Sequence, residues 1–173
     1  EFLYNADSNF GMFKEHRDIV KYMTDLKSKT GYPDNIRVDW AKAKADKVID
    51  LAKLLTEANM MKGITIALQS MSQEVLDAVK RKNVDGGKLK SFFDLYKDEN
   101  LKTYIELILG LPKETVKSFK DGIFEILDLE YYDYIGVYPM TVLPNTPFAE
   151  PDYVEEYGID VTETLPAFFH HDY

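Results

Sequence analysis

Thr103-Tyr104-Ile105-Glu106-Leu107-Ile108-Leu109-Gly110-Leu111-Pro112 is a short, nearly continuous apolar run stopped by a glycine and a proline. Such a run marks a strand covered on both faces, as in a parallel sheet sandwiched by other layers. The same signature appears upstream, where Gly63 introduces Ile64-Thr65-Ile66-Ala67-Leu68, and a further strand follows at Tyr134 to Tyr138. Nearer the start, Glu1 to Asn5 is apolar and β-prone, and it runs into the polar turn Ala6-Asp7-Ser8-Asn9. Ile36 to Trp40 is a short extended piece.

Between these runs the period changes to that of a helix. Ile19, Val20, Met23 and Leu26 fall at helical spacing between Lys14 and Lys29, and Gly31-Tyr32-Pro33 ends the segment. Asp46 to Met60 is amphipathic with a wide apolar face. Ser70 or Ser72 is placed to cap a helix carrying Val75, Leu76 and Val79. Asp85-Gly86-Gly87 interrupts before a few helical turns from Leu89 to Tyr96, and Thr115 to Leu129 is a clear amphipathic helix. Strand and helix thus alternate at roughly 30-residue spacing, the pattern of parallel βα units. A full α/β barrel takes about 250 residues, so the expected fold is α/β, a partial (β/α) barrel lacking its first unit. A doubly wound open sheet is the runner-up. One domain is expected over 1–153, with 154–173 a C-terminal extension of loop or short helix.

The 173 residues carry 30 acidic and 21 basic side chains, a formal charge of −9. That balance argues against a partner that is duplex DNA or an anionic membrane, because both demand a positive footprint. No apolar run reaches the roughly 20 residues of a membrane helix, and no basic-then-apolar leader opens the chain, so a cytoplasmic protein is expected. There are no cysteines, which excludes disulfides, catalytic thiols and thiolate-held clusters built by this chain itself. The chain opens without Met, in Phe2-Leu3-Tyr4, which reads as the middle of a strand and hence as a fragment. A truncated barrel leaves a strand edge bare, so self-association there is expected.

In either α/β architecture, chemistry sits beyond the carboxyl ends of the strands. The residues there are polar: Asp7 and Asn9, Asp39, Gln69 and Ser70, Gly110 with Pro112 and Glu114, and Thr141 with Asn145. Each has a structural alternative, as an Asx turn, a helix cap or a carboxylate favoured by a helix dipole. Their convergence on one rim favours function. Gln69 directly ends a buried strand, where an amide needs a partner and suits a hydroxyl-bearing ligand such as a ribose. Glu106 shares a strand face with Ile108 and Gly110. An ionised carboxylate there requires a ligand or a cation, Lys62 or Lys102 being the sequence candidates. Gly110 lets a flat ligand approach the backbone, and Arg81 is either a solvated helix end or a bidentate clamp for a carboxylate. His16 reads as a helix-surface residue, and the adjacent His170-His171 as a poor metal pair.

Ala67-Leu68-Gln69-Ser70-Met71-Ser72 with Arg81, then Glu106 through Thr115, resembles the later strands of radical S-adenosylmethionine enzymes. Asn5-Ala6-Asp7-Ser8-Asn9-Phe10 looks like the end of that family's second strand, and Val137-Tyr138-Pro139 through Pro147 like its sixth. The likeness is to the branch that often carries a cobalamin-binding domain, with coproporphyrinogen-oxidase-like members. The resemblance implies a partial barrel, S-adenosylmethionine, a [4Fe–4S] cluster and, in some members, cobalamin, with reductive cleavage giving a 5′-deoxyadenosyl radical. It implies that Gln69 and Glu106, beside Ser70, meet the ribose or its surroundings, and that Arg81 meets the methionine carboxylate. It further implies that Ile108 and Gly110 flank the adenine, Glu114 closes the turn and Asp7 sits near the cluster and substrate rim. Glu106 stands where a glycine is common in the strand motif, as Lys113 does further on. The family's three cluster cysteines follow its first strand, and this chain has none, so by itself it is expected to be inactive. The competing readings are a degenerate barrel kept as a nucleoside-binding or scaffold module, and an unrelated barrel enzyme using Glu106 and Asp39 as acid and base. A small-molecule substrate is expected.

Overall fold

Five parallel strands form where the apolar runs lie: β1 (Phe2–Tyr4), β2 (Asn35–Arg37), β3 (Ile64–Gln69), β4 (Thr103–Leu109) and β5 (Tyr134–Pro139). The structure, a computed structural model, describes residues 2–41, 45–61, 63–83, 86–129 and 133–162. Between the strands run α1 (Glu15–Thr30), α2 (Ala45–Glu57), α3 (Gln73–Ala78), α4 (Gly86–Asp98) and α5 (Val116–Asp128). A 3-10 turn at Pro147–Ala149 and α6 (Pro151–Tyr157) follow β5. The boundary read at residue 153 therefore falls within α6. None of these helices is long and apolar enough to cross a membrane.

The strands make two sheets, β1-β2 and β3-β4-β5, in which neighbours in sequence are neighbours in space. The continuous wall expected of a barrel is interrupted between β2 and β3 among the described residues. The Ile36 N–H donates to the Met60 carbonyl at 2.8 Å, while Asp39 and Ala41 bond to Phe10 on the β1 side at 2.9 Å each. On the side away from β1, the Ile36 N–H is thus taken by the turn after α2 and not by a ladder partner.

The helices cover one face of the strands. Ile105 and Leu107 of β4 pack with Leu68, Phe93 of α4 and Ile126 of α5. Ile36 and Val38 pack with Val20 and Met23 of α1 and with Leu51 and Leu55 of α2. Each such side chain stabilises the fold by about 1.5–3 kcal/mol when fully buried. The buried stripe of α1 is His16, Val20 and Met23, while Ile19 and Leu26, which share the helical spacing, are exposed. The Lys27 ammonium donates to the carbonyls of Pro33, Asp34 and Asn59, at 3.2, 2.6 and 3.2 Å, tying the end of α1 to β2 and to the turn after α2. Helix α4 begins at Gly86, earlier than the glycine pair suggests. A first helical turn tolerates glycine there because its N–H groups lack intrahelical partners in any case.

Candidate functional site

The turn at the carboxyl end of β3 is bulged and left-handed. The ladder pairs Ala67 with Glu106 and Gln69 with Leu107, so Leu68 is an extra residue. Gln69 has φ 71°, uncommon for a residue with a side chain. Bulge and left-handed residue together re-aim the chain, and Gln69 stays buried at 8% exposure.

Two cavities of about 320 Å³ each open on this turn, and both are lined by Gln69 and Arg81. The first is bounded by Ile108 and Leu111 and, from the far end of the chain, by Phe148 and Tyr153. The second lies over β3, with Asp39, Thr65, Asn83 and Glu106 on its wall. It extends past the break between the sheets to Phe92 and Tyr96 of α4. Arg81 is exposed, and among the described residues its guanidinium has no hydrogen-bond or ion-pair partner. Gly110 ends β4 with φ 89°, and nothing stands within 4 Å of where a side chain would project. Backbone there is open to a flat ligand, and the left-handed φ independently favours glycine.

A hydrogen-bond network holds the two turns together. Ser70 donates to Glu114 Oε2 at 2.8 Å, and Ser70 Oγ accepts the Ser72 N–H at 3.2 Å. The Ser70 carbonyl accepts from Asn83 Nδ2 at 2.7 Å. The other Glu114 oxygen accepts the Ser118 hydroxyl, and Ser118 forms a reciprocal capping box with Thr115 at the start of α5. Ser72 occupies the N-cap position of α3 without a side-chain cap bond. The Ser72 N–H itself is held by Ser70 Oγ.

Glu106 is half-buried on the face opposite the helices. Burial is the main cause that pushes its carboxyl above the ordinary 4.5; the Arg37 guanidinium opposes the shift and the Asp39 carboxylate adds to it. The cation acting on Glu106 is thus Arg37 of β2 rather than Lys102; Lys62 lies outside the described residues. Asp39 itself accepts the Tyr4 hydroxyl at 2.9 Å.

Asp7 itself lines neither cavity, while its neighbour Ser8 borders the second. One of its carboxylate oxygens accepts the Asn9 N–H at 2.9 Å and the other lies 3.2 Å from His16 Nε2. His16, read as a surface residue, is 7% exposed. Its Nδ1 accepts the Gly11 N–H at 2.7 Å, and its ring stacks on Phe10 at 4.5 Å. The aromatic pair and the carboxylate bury a histidine that an amphipathic pattern assigns to the surface.

Of the residues expected at the site, Gln69, Arg81, Ile108 and Glu106 line the cavities, and Ser70, Gly110 and Glu114 build the turns around them. Arg37, Phe148 and Tyr153 escaped the sequence reading. The aromatic spacing Phe148, Tyr153, Tyr157 was a signal, but nothing local says that this tail folds back. The assembled groups are a buried amide, a guanidinium, a bare glycine and an apolar wall, which together suit a ligand with hydroxyls, a carboxylate and a flat ring. No group of three or more His, Asp or Glu side chains among the described residues is arranged to hold a metal ion. His170 and His171 lie outside the described residues.

No model of a known protein family matches the chain. It is 36% identical over 159 residues to the cobalamin-dependent radical SAM methyltransferase TokK of Streptomyces tokunonensis. It is 37% identical over 159 residues to the 2-(S-pantetheinyl)-carbapenam-3-carboxylate methyltransferase of Streptantibioticus cattleyicolor. Both alignments cover 92% of this chain and 23% of the relative, so the chain spans about a quarter of the proteins it matches. Among solved structures it resembles the radical SAM methyltransferase TsrM of Kitasatospora setae, with cobalamin and a [4Fe–4S] cluster bound. That match has a TM-score of 0.59 at 16% identity over 84% of this chain and 29% of the other. Coproporphyrinogen III oxidase (HemN) of Escherichia coli, a radical SAM enzyme, matches with a TM-score of 0.52 at 15% identity, over 90% of this chain and 50% of that one. The two structural likenesses speak to the fold and the two sequence likenesses to descent: identical at 36–37% of positions across 92% of its length to these methyltransferases, the chain belongs to the radical S-adenosylmethionine superfamily.

Proposed function

We propose that the chain is the later part of the catalytic domain of a radical S-adenosylmethionine methyltransferase. In this reading it forms the second to sixth strands of a partial barrel and holds S-adenosylmethionine at the rim of β3 and β4. The observation that carries the reading is Gln69: a buried amide on a left-handed, bulged strand end, lining a cavity it shares with the Arg81 guanidinium, which has no partner among the described residues. Backbone strain of this kind costs about 1–2 kcal/mol, and its retention beside a cavity fits a binding role.

The residues present fit the ligand. Gln69 offers both a donor and an acceptor to ribose hydroxyls, with Glu106 a second acceptor deeper on the same face. Arg81 offers a fork of N–H donors to the methionine carboxylate. Ile108 and Gly110 present an apolar surface and open backbone to the adenine, while Ser70 and Glu114 keep the turn in register. S-adenosylmethionine supplies, when bound, the activated methyl and adenosyl carbons that this superfamily uses. The residues do not fit a [4Fe–4S] cluster, because the chain has no cysteine; the cluster ligands belong, in this reading, to a preceding segment of the parent protein, and cobalamin to another.

Equilibrium dialysis of the full-length protein with S-adenosylhomocysteine tests the assignment. Wild type binds, and Gln69→Ala and Arg81→Ala each weaken binding by roughly tenfold, as loss of a hydrogen bond to a charged or buried partner implies. A folded wild type that fails to bind overturns the proposal. A protein that binds S-adenosylmethionine but never consumes it, with iron, sulfide and reductant supplied, is the non-catalytic binding module instead.

A further inference from the structure

The first cavity has walls of different origin. Gln69, Ile108 and Leu111 come from the ends of β3 and β4, whereas Phe148 and Tyr153 come from the 3-10 turn and α6. The segment is held by the Tyr153 hydroxyl, which donates to the Ala78 carbonyl at 3.1 Å across 75 positions of sequence. That carbonyl belongs to the last residue of α3, just before the Lys80-Arg81 turn. The Phe148 ring meets Tyr153 edge-on, with centroids 5.5 Å apart at 68°, and Tyr153 meets Tyr157 at 4.6 Å. Helix α6 buries no residue fully, so core formation does not account for its position. Its tethered tyrosine and the preceding phenylalanine border a cavity whose opposite side is aliphatic.

We propose that this C-terminal segment is the second wall of the adenosyl pocket: Phe148 packs on the purine ring from the side opposite Ile108, and Tyr153, through Ala78, sets the width of the slot. The inference rests on the S-adenosylmethionine reading of the site and adds the residues that grip its base. The arrangement separates the ligand by chemistry. The flat end lies between aromatic and aliphatic surfaces, and the charged end lies toward Arg81. Stacking on a phenylalanine does not read hydrogen-bond patterns, so purine recognition by the cap is one of shape and area. Phe148 and Tyr153 are binding and positioning residues respectively, with no part in bond making.

Calorimetric titration of the full-length protein with S-adenosylhomocysteine and, separately, with adenosine distinguishes the two levels of the claim. Phe148→Ala is expected to weaken both ligands by roughly tenfold, the scale of one base–aromatic stack, and Phe148→Trp to restore them. Tyr153→Phe keeps the ring but loses the bond to Ala78, and is expected to weaken both by about threefold. Arg81→Ala weakens S-adenosylhomocysteine and leaves adenosine unchanged. Phe148→Leu preserves apolar bulk and hence the fold if alanine disturbs it; it lacks a flat face and loses about threefold. Melting curves recorded alongside confirm that each variant is folded. Unchanged adenosine affinity in folded Phe148→Ala or Phe148→Leu overturns the inference while leaving the site intact. Failure of wild type to bind either ligand overturns the site reading and this inference with it.

Discussion

The Ser70 hydroxyl donates a 2.8 Å hydrogen bond to Oε2 of Glu114, joining the turn after β3 to the turn after β4 across 44 positions of sequence. Because Ser70 follows the left-handed Gln69 directly, this contact fixes the neighbour of a residue that lines both cavities. Glu114→Ala removes the acceptor for two hydroxyls and is expected to destabilise the protein by about 2 kcal/mol, the range for bonds to a charged group. A Ser70→Ala/Glu114→Ala cycle in urea melts should show coupling of at least about 0.5 kcal/mol. Strict additivity would mean that the contact does not join the turns.

Glu106 gives a pH signature. Its carboxyl is raised in the folded state above the 4.5 expected when exposed, chiefly by burial. Between the unfolded and folded values the native state binds more protons, so this group's stabilisation is complete below the unfolded value and is lost as pH rises through the folded one. Glu106→Gln cannot ionise. Relative to wild type it should therefore gain stability as pH climbs through that window and then hold its advantage to neutrality. Denaturant midpoints measured from pH 4 upward test this, and a difference that shrinks with rising pH contradicts it.

Thr103 is fully buried at the start of β4, and its Oγ1 is the buried side-chain polar atom without a hydrogen-bond partner among the described residues. Its backbone is satisfied, the N–H by Asp133 Oδ2 at 2.8 Å and the carbonyl by the Asp133 N–H at 3.0 Å. Thr103→Val keeps shape and removes an unpaired hydroxyl, so it should stabilise the protein by about 1 kcal/mol. A lowered melting temperature would show that the hydroxyl has a partner.

His16 links the loop after β1 to α1. His16→Ala leaves the Gly11 N–H without an acceptor and empties the space against Phe10, with an expected cost of about 2–4 kcal/mol. Urea denaturation reads the loss directly; a cost under about 0.5 kcal/mol would assign His16 to an ordinary surface role.

Phe2, Leu3 and Tyr4 of β1 are 62%, 39% and 56% exposed, and β2 is the ladder partner on one side. We expect the 173-residue chain to self-associate through the other edge of β1, and Leu3→Lys to suppress this. Sedimentation velocity over a range of concentrations decides; a chain that stays monomeric throughout removes the expectation.

The strands were legible because their causes are local. Apolar runs such as Ile64 to Leu68 and Tyr104 to Leu109, closed by polar or glycine residues, carry the information within a few positions. The same locality placed Gln69 and Gly110 at strand ends and Glu114 in the turn that follows, where a parallel fold puts its chemistry. By itself, then, the sequence determined the alternation, the rim and the kinds of groups on it. What tertiary structure alone decided were relations between distant segments: Glu106 coming under the field of Arg37, the histidine of α1 buried while Ile19 is exposed, and Tyr153 anchored on Ala78. These depend on which backbone groups remain unsatisfied and which faces meet after packing, and neither quantity is a property of any single stretch of chain.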